Sequence, residues 1–134
     1  MQQGGDNKRF PFPKEERICS KKTLETLLSN KQQFFAYPFK CYYQFLPFEE
    51  GAPIVQMAIA IPKRTVKSAV TRNRIKRMVR EVYRLQNKMI LSTVINKNQK
   101  IVLLFVFIGR EIPSYHLVEE KIIMLLSQIA NETS

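Results

Sequence analysis

Lysine and arginine side chains concentrated in one segment are the residues of this sequence best suited to chemistry, because they can bind phosphate groups. Residues 63–88 contain ten of the 22 Lys and Arg residues and a single acid, so the segment has a net charge of +9 in a chain of +11. The remaining residues carry twelve basic and ten acidic groups. Charge concentrated in this way is typical of proteins that bind a polyanion, either nucleic acid or an anionic membrane surface.

Side chains able to cleave a phosphodiester are few and scattered. A protein nuclease needs clustered carboxylates that hold a divalent metal, or an acid and base pair. Glu49, Glu81 and Glu111 are far apart in sequence, so a metal-dependent nuclease would require folding to bring them together. His116 is the only histidine, and no zinc spacing or glycine-rich phosphate loop is present. We therefore expect a binding surface, with no catalytic residue and no metal ligand in the polypeptide.

Length and composition predict one domain with a tail. A chain of 134 residues with 45% apolar residues can build a single core. We expect residues 1–16, which combine glycine with alternating Phe and Pro, to form a flexible tail and residues 17–134 to form the domain. Cys19 and Cys41 lack a CxxC spacing, the N-terminus lacks a signal-peptide run, and the longest apolar run is too short to span a bilayer. A cytoplasmic location is the expectation.

Hydrophobic periodicity predicts the elements around the basic segment. We expect a helix over 21–30 capped by Ser20, a strand over 34–47, and a strand over 54–61 that pairs antiparallel with it across a turn. Residues 92–98 are predicted to form a polar connection, or to include a further short strand near 93–95. Residues 100–108 are almost uniformly apolar, which predicts a central strand covered on both faces. Ser114 should cap a last helix, in which apolar residues recur at helical spacing.

The predicted fold class is α+β, a single-domain sandwich with a mixed four-stranded sheet and three helices. The order is helix, three strands, helix, strand, helix, or the same with one strand fewer before the basic helix. In the strand over 34–47, Phe39, Cys41, Tyr43 and Phe45 share one side, and Lys40 and Tyr42 lie on the other, partly exposed side.

The basic helix should begin near Ala69 with one apolar and one cationic side. Ile75, Val79 and Val82 follow helical spacing and can pack on the sheet. Like charges at i, i+4 cost a few tenths of a kcal/mol each, which disfavours a merely solvated helix. A membrane-surface helix is also disfavoured, because the chain has no Trp and the apolar side is needed by the sheet. Arginines on successive turns can instead follow a phosphate backbone.

The sequence of residues 69–84, AVTRNRIKRMVREVYR, resembles the signature of the bacterial ribonuclease P protein subunit. In that family a basic loop K-[KR]-x-V-x-x-A leads into R-N-R-I-K-R, an apolar pair and R-E. Here the loop is represented by Lys63, Arg64, Val66 and Ala69, and the motif continues through residues 72–77 to Arg80 and Glu81. The likeness extends from about residue 17 to the last helix.

The resemblance implies a small α+β sandwich with an unusual left-handed crossover, in which the protein assists a catalytic RNA. That RNA, with its bound Mg²⁺, removes the 5′ leader of precursor tRNA, so the holoenzyme is an endoribonuclease while the polypeptide alone is not catalytic and binds no metal itself. The implied partners are the ribonuclease P RNA and the leader, with no membrane and no protein partner required.

Site residues follow from the same resemblance, position by position. The catalytic RNA should contact Lys63, Arg64, Arg72, Asn73, Arg74, Lys76, Arg77 and Arg80. The leader should contact the exposed sheet face through Phe34, Lys40 and Tyr42, since aromatic rings stack on bases and a lysine holds phosphates. The alternative is a non-catalytic RNA- or DNA-binding protein, such as a ribosome-associated one.

Overall fold

The computed structural model describes residues 21–29 and 32–132, and side chains of the first helix from Glu25 onward. The described elements are α1 Lys21–Ser29, β1 Gln33–Ala36, β2 Phe39–Pro47, β3 Val55–Ala60, α2 Ala69–Gln86, α3 Lys88–Asn96, β4 Gln99–Phe107 and α4 Tyr115–Glu132. The predictions on the tail 1–16, on Cys19 and on the Ser20 cap lie outside the described residues. The described part forms the predicted α+β architecture.

The four strands form one mixed sheet in the order β1-β2-β4-β3. β2 pairs antiparallel with β1 on one side and with β4 on the other, while β3 pairs parallel with β4. The predicted four-stranded mixed sheet and the central place of the apolar strand are therefore confirmed. The left-handed sense that the resemblance implies for the crossover from β3 to β4 stays a prediction.

The predicted antiparallel hairpin between the second and third strands is wrong. β4 lies between them, so β2 and β3 are not neighbours, although a tight turn with Gly51 at φ 85° connects them in sequence. The reason is burial. β4 is almost uniformly apolar and is covered on both faces, and the sheet's centre is the only place where a strand is flanked and covered in this way.

The region between the basic helix and β4 is a fourth helix, α3, where the sequence analysis predicted a polar connection or a short strand near 93–95. Ile90 and Val94 are one helical turn apart and fully buried. The hydroxyl of Thr93 donates a hydrogen bond to the carbonyl oxygen of Met89 at 3.0 Å, so this polar side chain is satisfied within the helix. The polar residues of this region, which suggested a loop, form the outer side of a short amphipathic helix.

The sheet has a large core on one face and a small cluster on the other. α2, α3 and α4 supply the large core together with the inward residues of the strands, among them Phe39, Cys41 and Tyr43 as predicted. On the opposite face, Leu27 of α1 packs against Val102 and Leu104. Leu28, the next residue of α1, is 54% exposed. Among the described residues, no helix is long and apolar enough to cross a membrane.

Candidate nucleic-acid interface

The basic helix α2 begins as predicted at Ala69, because Ser68 caps it. The side-chain oxygen of Ser68 accepts a hydrogen bond from the amide of Thr71 at 3.2 Å. Ile75, Val79 and Val82 are fully buried in the large core, which fixes the rotation of the helix about its axis. At 3.6 residues per turn, the outward side then consists of positions i, i+4, i+7 and i+11, which are Asn73, Arg77, Arg80 and Arg84.

Cationic side chains also flank this outward side. Arg74 lies on one flank and is exposed; Arg72 and Lys76 lie on the other and are half-buried. Burial lowers the pKa of Lys76, and the neighbouring charges of Arg80 and Arg72 lower it further. In the free protein, Lys76 is thus close enough to Arg72 and Arg80 to be repelled by both. A phosphate bound between these side chains would reduce the repulsion.

Replacing Lys76 with glutamine should stabilise the free protein and weaken its binding to RNA. At neutral pH the charged lysine opposes folding, because its folded-state pKa is below the ordinary value of 10.5. Removing two like-charge pairs at i, i+4 on a helix is worth about 0.2–0.5 kcal/mol each. The advantage of Lys76→Gln should shrink as pH rises through the folded pKa toward 10.5, where the unfolded chain still binds the proton that the folded one has lost.

Urea unfolding at several pH values and RNA titration measure the two effects. Lys97→Gln is the matched control, because Lys97 is an exposed lysine directly after α3 and is not one of the charges that lower the pKa of Lys76. A gain in stability for Lys97→Gln equal to that of Lys76→Gln would contradict the repulsion.

The carboxylate of Glu81 compensates positive charge near the C-terminal end of α2. It accepts two hydrogen bonds from the Arg84 guanidinium, at 2.8 and 3.1 Å, and this contact lowers the pKa of Glu81. Arg84 is therefore engaged by a counter-charge. The basic residues Arg72, Arg74, Lys76 and Arg77, which are predicted RNA contacts, lie before this ion pair in the helix.

The loop between β3 and α2 brings two more predicted residues to this end of the helix. Lys63 and Arg64 are exposed, whereas Val66 enters the core with 5% exposure. Arg72 reaches back to this loop: one of its nitrogens, Nη1, donates to the carbonyl oxygens of Val66 at 2.8 Å and Lys67 at 3.0 Å. The loop and the helix thus form one continuous cationic surface, here called the basic surface: Lys63, Arg64, Lys67, Arg72, Asn73, Arg74, Lys76, Arg77 and Arg80.

The structure separates Phe34 from the other two residues predicted to bind the leader. In the β1–β2 pair, Phe34 is opposite Cys41 and Phe35 is opposite Lys40, and directly opposite residues share a face. Phe34 therefore lies on the core side, where its ring stacks on that of Tyr43 with centroids 5.5 Å apart. Phe35 is 57% exposed and shares the outer face with Lys40 and Tyr42. The outer aromatic residue is thus Phe35 in place of Phe34.

A turn at residues 37–38 explains this error. Alternation along one continuous strand would put Phe34, Lys40 and Tyr42 on the same side. The chain instead reverses at Tyr37 and Pro38 into a separate strand, in a register where odd positions of β1 oppose even positions of β2. The signal was in the sequence, because proline is rarely tolerated in the middle of a paired strand.

The acids considered for a nuclease do not assemble. Among the residues that the structure describes, no three His, Cys, Asp or Glu side chains are grouped so that they could hold a metal ion. Glu49 forms an ion pair with Lys100 at 2.9 Å, and Glu81 is bound to Arg84. His116 is exposed in the first turn of α4, and burial raises the pKa of the Cys41 thiol. These residues do not fit a metal-bound active site.

Comparison with known proteins identifies a single family. The family model described as Ribonuclease P matches residues 12–128. The ribonuclease P protein component of Porphyromonas gingivalis is 33% identical over 122 residues, covering 90% of this chain and 88% of that protein. The one from Chlorobium phaeobacteroides is 33% identical over 100 residues, covering 67% and 68%. The solved structure of the Staphylococcus aureus RNase P protein is similar in fold, with a TM-score of 0.66 at 15% identity, over 85% of this chain and 94% of that one.

Proposed function

Because this chain belongs to the ribonuclease P protein family, we propose that it uses two separate surfaces, one for the catalytic RNA and one for the 5′ leader of precursor tRNA. The chain is the protein component of ribonuclease P, an endoribonuclease that matures the 5′ end of tRNA, and it associates with ribonuclease P RNA. Each RNA contacts its own set of residues.

The catalytic RNA lies against the basic surface. The observation that supports this most strongly is the rotation of α2: burial of Ile75, Val79 and Val82 turns Asn73, Arg77 and Arg80 outward, in line along the helix. Arginine side chains spaced by one turn match a series of phosphates and need no base-specific contact. The protein therefore binds its RNA through charge and shape.

The leader lies on the outer face of the sheet, beside α1. Phe35 and Tyr42 offer aromatic rings on which unpaired bases can stack, and Lys40 between them can bind the phosphates. Leu27 packs α1 over β2 and β4, so the helix borders this face without covering Phe35. A single-stranded segment can therefore lie along the edge formed by β1 and β2.

Bond cleavage belongs to the RNA subunit. Mg²⁺ bound by that RNA supplies the metal chemistry. The polypeptide contributes by holding the leader and by neutralising phosphates of the catalytic RNA.

Reconstitution with ribonuclease P RNA tests the division of labour. Phe35→Ala should weaken binding of precursor tRNA by ~5-fold to ~150-fold, the loss of about one stacked base, and should leave binding of tRNA without a leader unchanged. Dissociation constants for both substrates, measured on the holoenzyme, give the comparison. Phe48→Ala is the matched control, because Phe48 is also an exposed phenylalanine but lies in the loop after β2.

Two outcomes would contradict the proposal. If Phe35→Ala weakened the binding of precursor tRNA and of tRNA without a leader equally, Phe35 would not contact the leader. Efficient cleavage of precursor tRNA by the polypeptide after complete removal of RNA would place the chemistry in the protein.

A further inference from the structure

The loop between β3 and α2 is held in one conformation by a set of hydrogen bonds. The carbonyl oxygen of Pro62 accepts from the amides of Thr65 at 3.3 Å and Val66 at 3.1 Å, and from the hydroxyl of Thr65 at 3.2 Å. Val66 is buried in the core, and Ser68 caps the helix. These contacts fix the start of the loop and its junction with α2, but they leave the carbonyl groups of Val66 and Lys67 to be satisfied.

Arg72 supplies the missing donors. Its Nη1 atom carries two hydrogens, and the two acceptors within reach are the carbonyl oxygens of Val66 at 2.8 Å and Lys67 at 3.0 Å. A hydrogen bond from a charged donor is stronger than one between neutral groups, and the planar guanidinium fixes the direction of both. The second turn of α2 is thereby tied to the loop that precedes it, across five and six residues of chain.

We propose that Arg72 is a positioning residue that holds Lys63, Arg64 and Lys67 ready for RNA phosphates, and that Lys67 belongs to the same phosphate-binding set. The inference rests on the proposed function of the basic surface. It gives Arg72 and Arg74, which belong to one motif, different roles. Arg74 is exposed and makes no hydrogen bond or ion pair with the described residues, so it is available to a phosphate. Arg72 has its Nη1 donors committed within the protein.

Preorganisation is the physical benefit of such a contact. A loop with three cations that is ordered only on binding loses conformational freedom at that moment, which reduces affinity. A loop already ordered by Arg72 avoids most of that loss. Removing Arg72 should therefore cost more affinity than one phosphate contact, and this loss should come from the loop cations that Arg72 holds in place.

Hydrogen exchange on the free protein tests the contact without any RNA. In Arg72→Ala, the amides of Thr65 and Val66 should exchange faster than in the wild type, because the loop opens more often. Arg74→Ala, which removes the same charge from the same helix, should leave these two amides unchanged. Equal exchange in both variants would overturn the proposal.

Salt dependence of RNA binding tests the consequence. Each phosphate contact contributes about 0.7–0.9 to the slope of log K against log salt concentration, so Arg74→Ala should lower the slope by that amount. Arg72→Ala should lower it by about 2 or more, because Lys63, Arg64 and Lys67 are misplaced together. A loss equal to that of Arg74→Ala would show that Arg72 is an ordinary phosphate contact.

A double-mutant cycle separates the two roles further. In a background with Lys63, Arg64 and Lys67 all changed to alanine, Arg72→Ala should have almost no further effect, while Arg74→Ala keeps its full effect. Full additivity at Arg72 would refute the positioning role. Arg72→Gln provides a second variant if Arg72→Ala does not fold. Failure of the wild type to bind ribonuclease P RNA would refute the proposed function itself and leave the exchange result standing.

Discussion

Replacing Arg74 and Arg77 together with alanine is expected to weaken binding to ribonuclease P RNA by roughly 25-fold to 60-fold at about 0.1 M salt. Both side chains are exposed on α2, and neither takes part in the contact that holds the basic loop. Each lost phosphate contact removes about 0.7–0.9 from the salt slope, so the slope should fall by about 1.4–1.8. Titrations from low to moderate salt measure affinity and slope in one series.

The matched control removes two lysines from elsewhere on the surface. Lys97 follows α3 directly and Lys121 lies on α4, and neither belongs to the basic surface. The double variant Lys97→Ala, Lys121→Ala changes net charge by the same amount, so it should lose affinity only through the weak long-range field. If both double variants lost the same affinity and slope, general charge would account for binding and the surface on α2 would be refuted.

Replacing Phe107 with alanine is expected to cost about 3–5 kcal/mol of the free energy of unfolding. Phe107 is completely buried near the end of β4, and its ring meets that of Phe39 edge to face at a centroid distance of 5.4 Å. The ring also fills the space beside Gly109, where an added Cβ would lie 2.8 Å from it. Domains of this size have about 5–15 kcal/mol of stability in total, so the loss would leave the protein close to unfolding.

Urea unfolding followed by a spectroscopic signal measures this loss. Phe48→Ala, at a phenylalanine that is 48% exposed, should change stability by about 0.5 kcal/mol or less. The denaturant dependence should stay the same in both variants, which would show that only stability has changed. A loss below about 1 kcal/mol at Phe107 would contradict the packing of β4 against β2 described above.

The sequence alone determined the chemistry of the basic surface. The spacing of Ile75, Val79 and Val82 fixes which side of α2 is buried, and therefore which arginines point outward, by local geometry alone. The fold class was also accessible, because apolar alternation and helical periodicity depend on short stretches of chain. The same holds for the central place of β4, which its uninterrupted apolar run required.

Two features could be determined only from the tertiary structure: the pairing partner of β3, and the face of the sheet on which Phe34 and Phe35 lie. Whether β3 pairs with β2 or with β4 is set by burial of the whole sheet, and nearness in sequence favoured the wrong partner. The outward placement of Phe35 in place of Phe34 follows from the register across the turn, since a change of register by one residue exchanges the two faces.

The contact of Arg72 with the loop also could not be predicted from the sequence. In the sequence it is one of several equivalent arginines on a basic helix, and its charge predicts a phosphate contact. The folded chain brings two loop carbonyl groups within 3.0 Å of its Nη1 atom. Backbone acceptors have no signature in the sequence, because every residue carries one, and only the path of the folded chain determines which of them a side chain can reach.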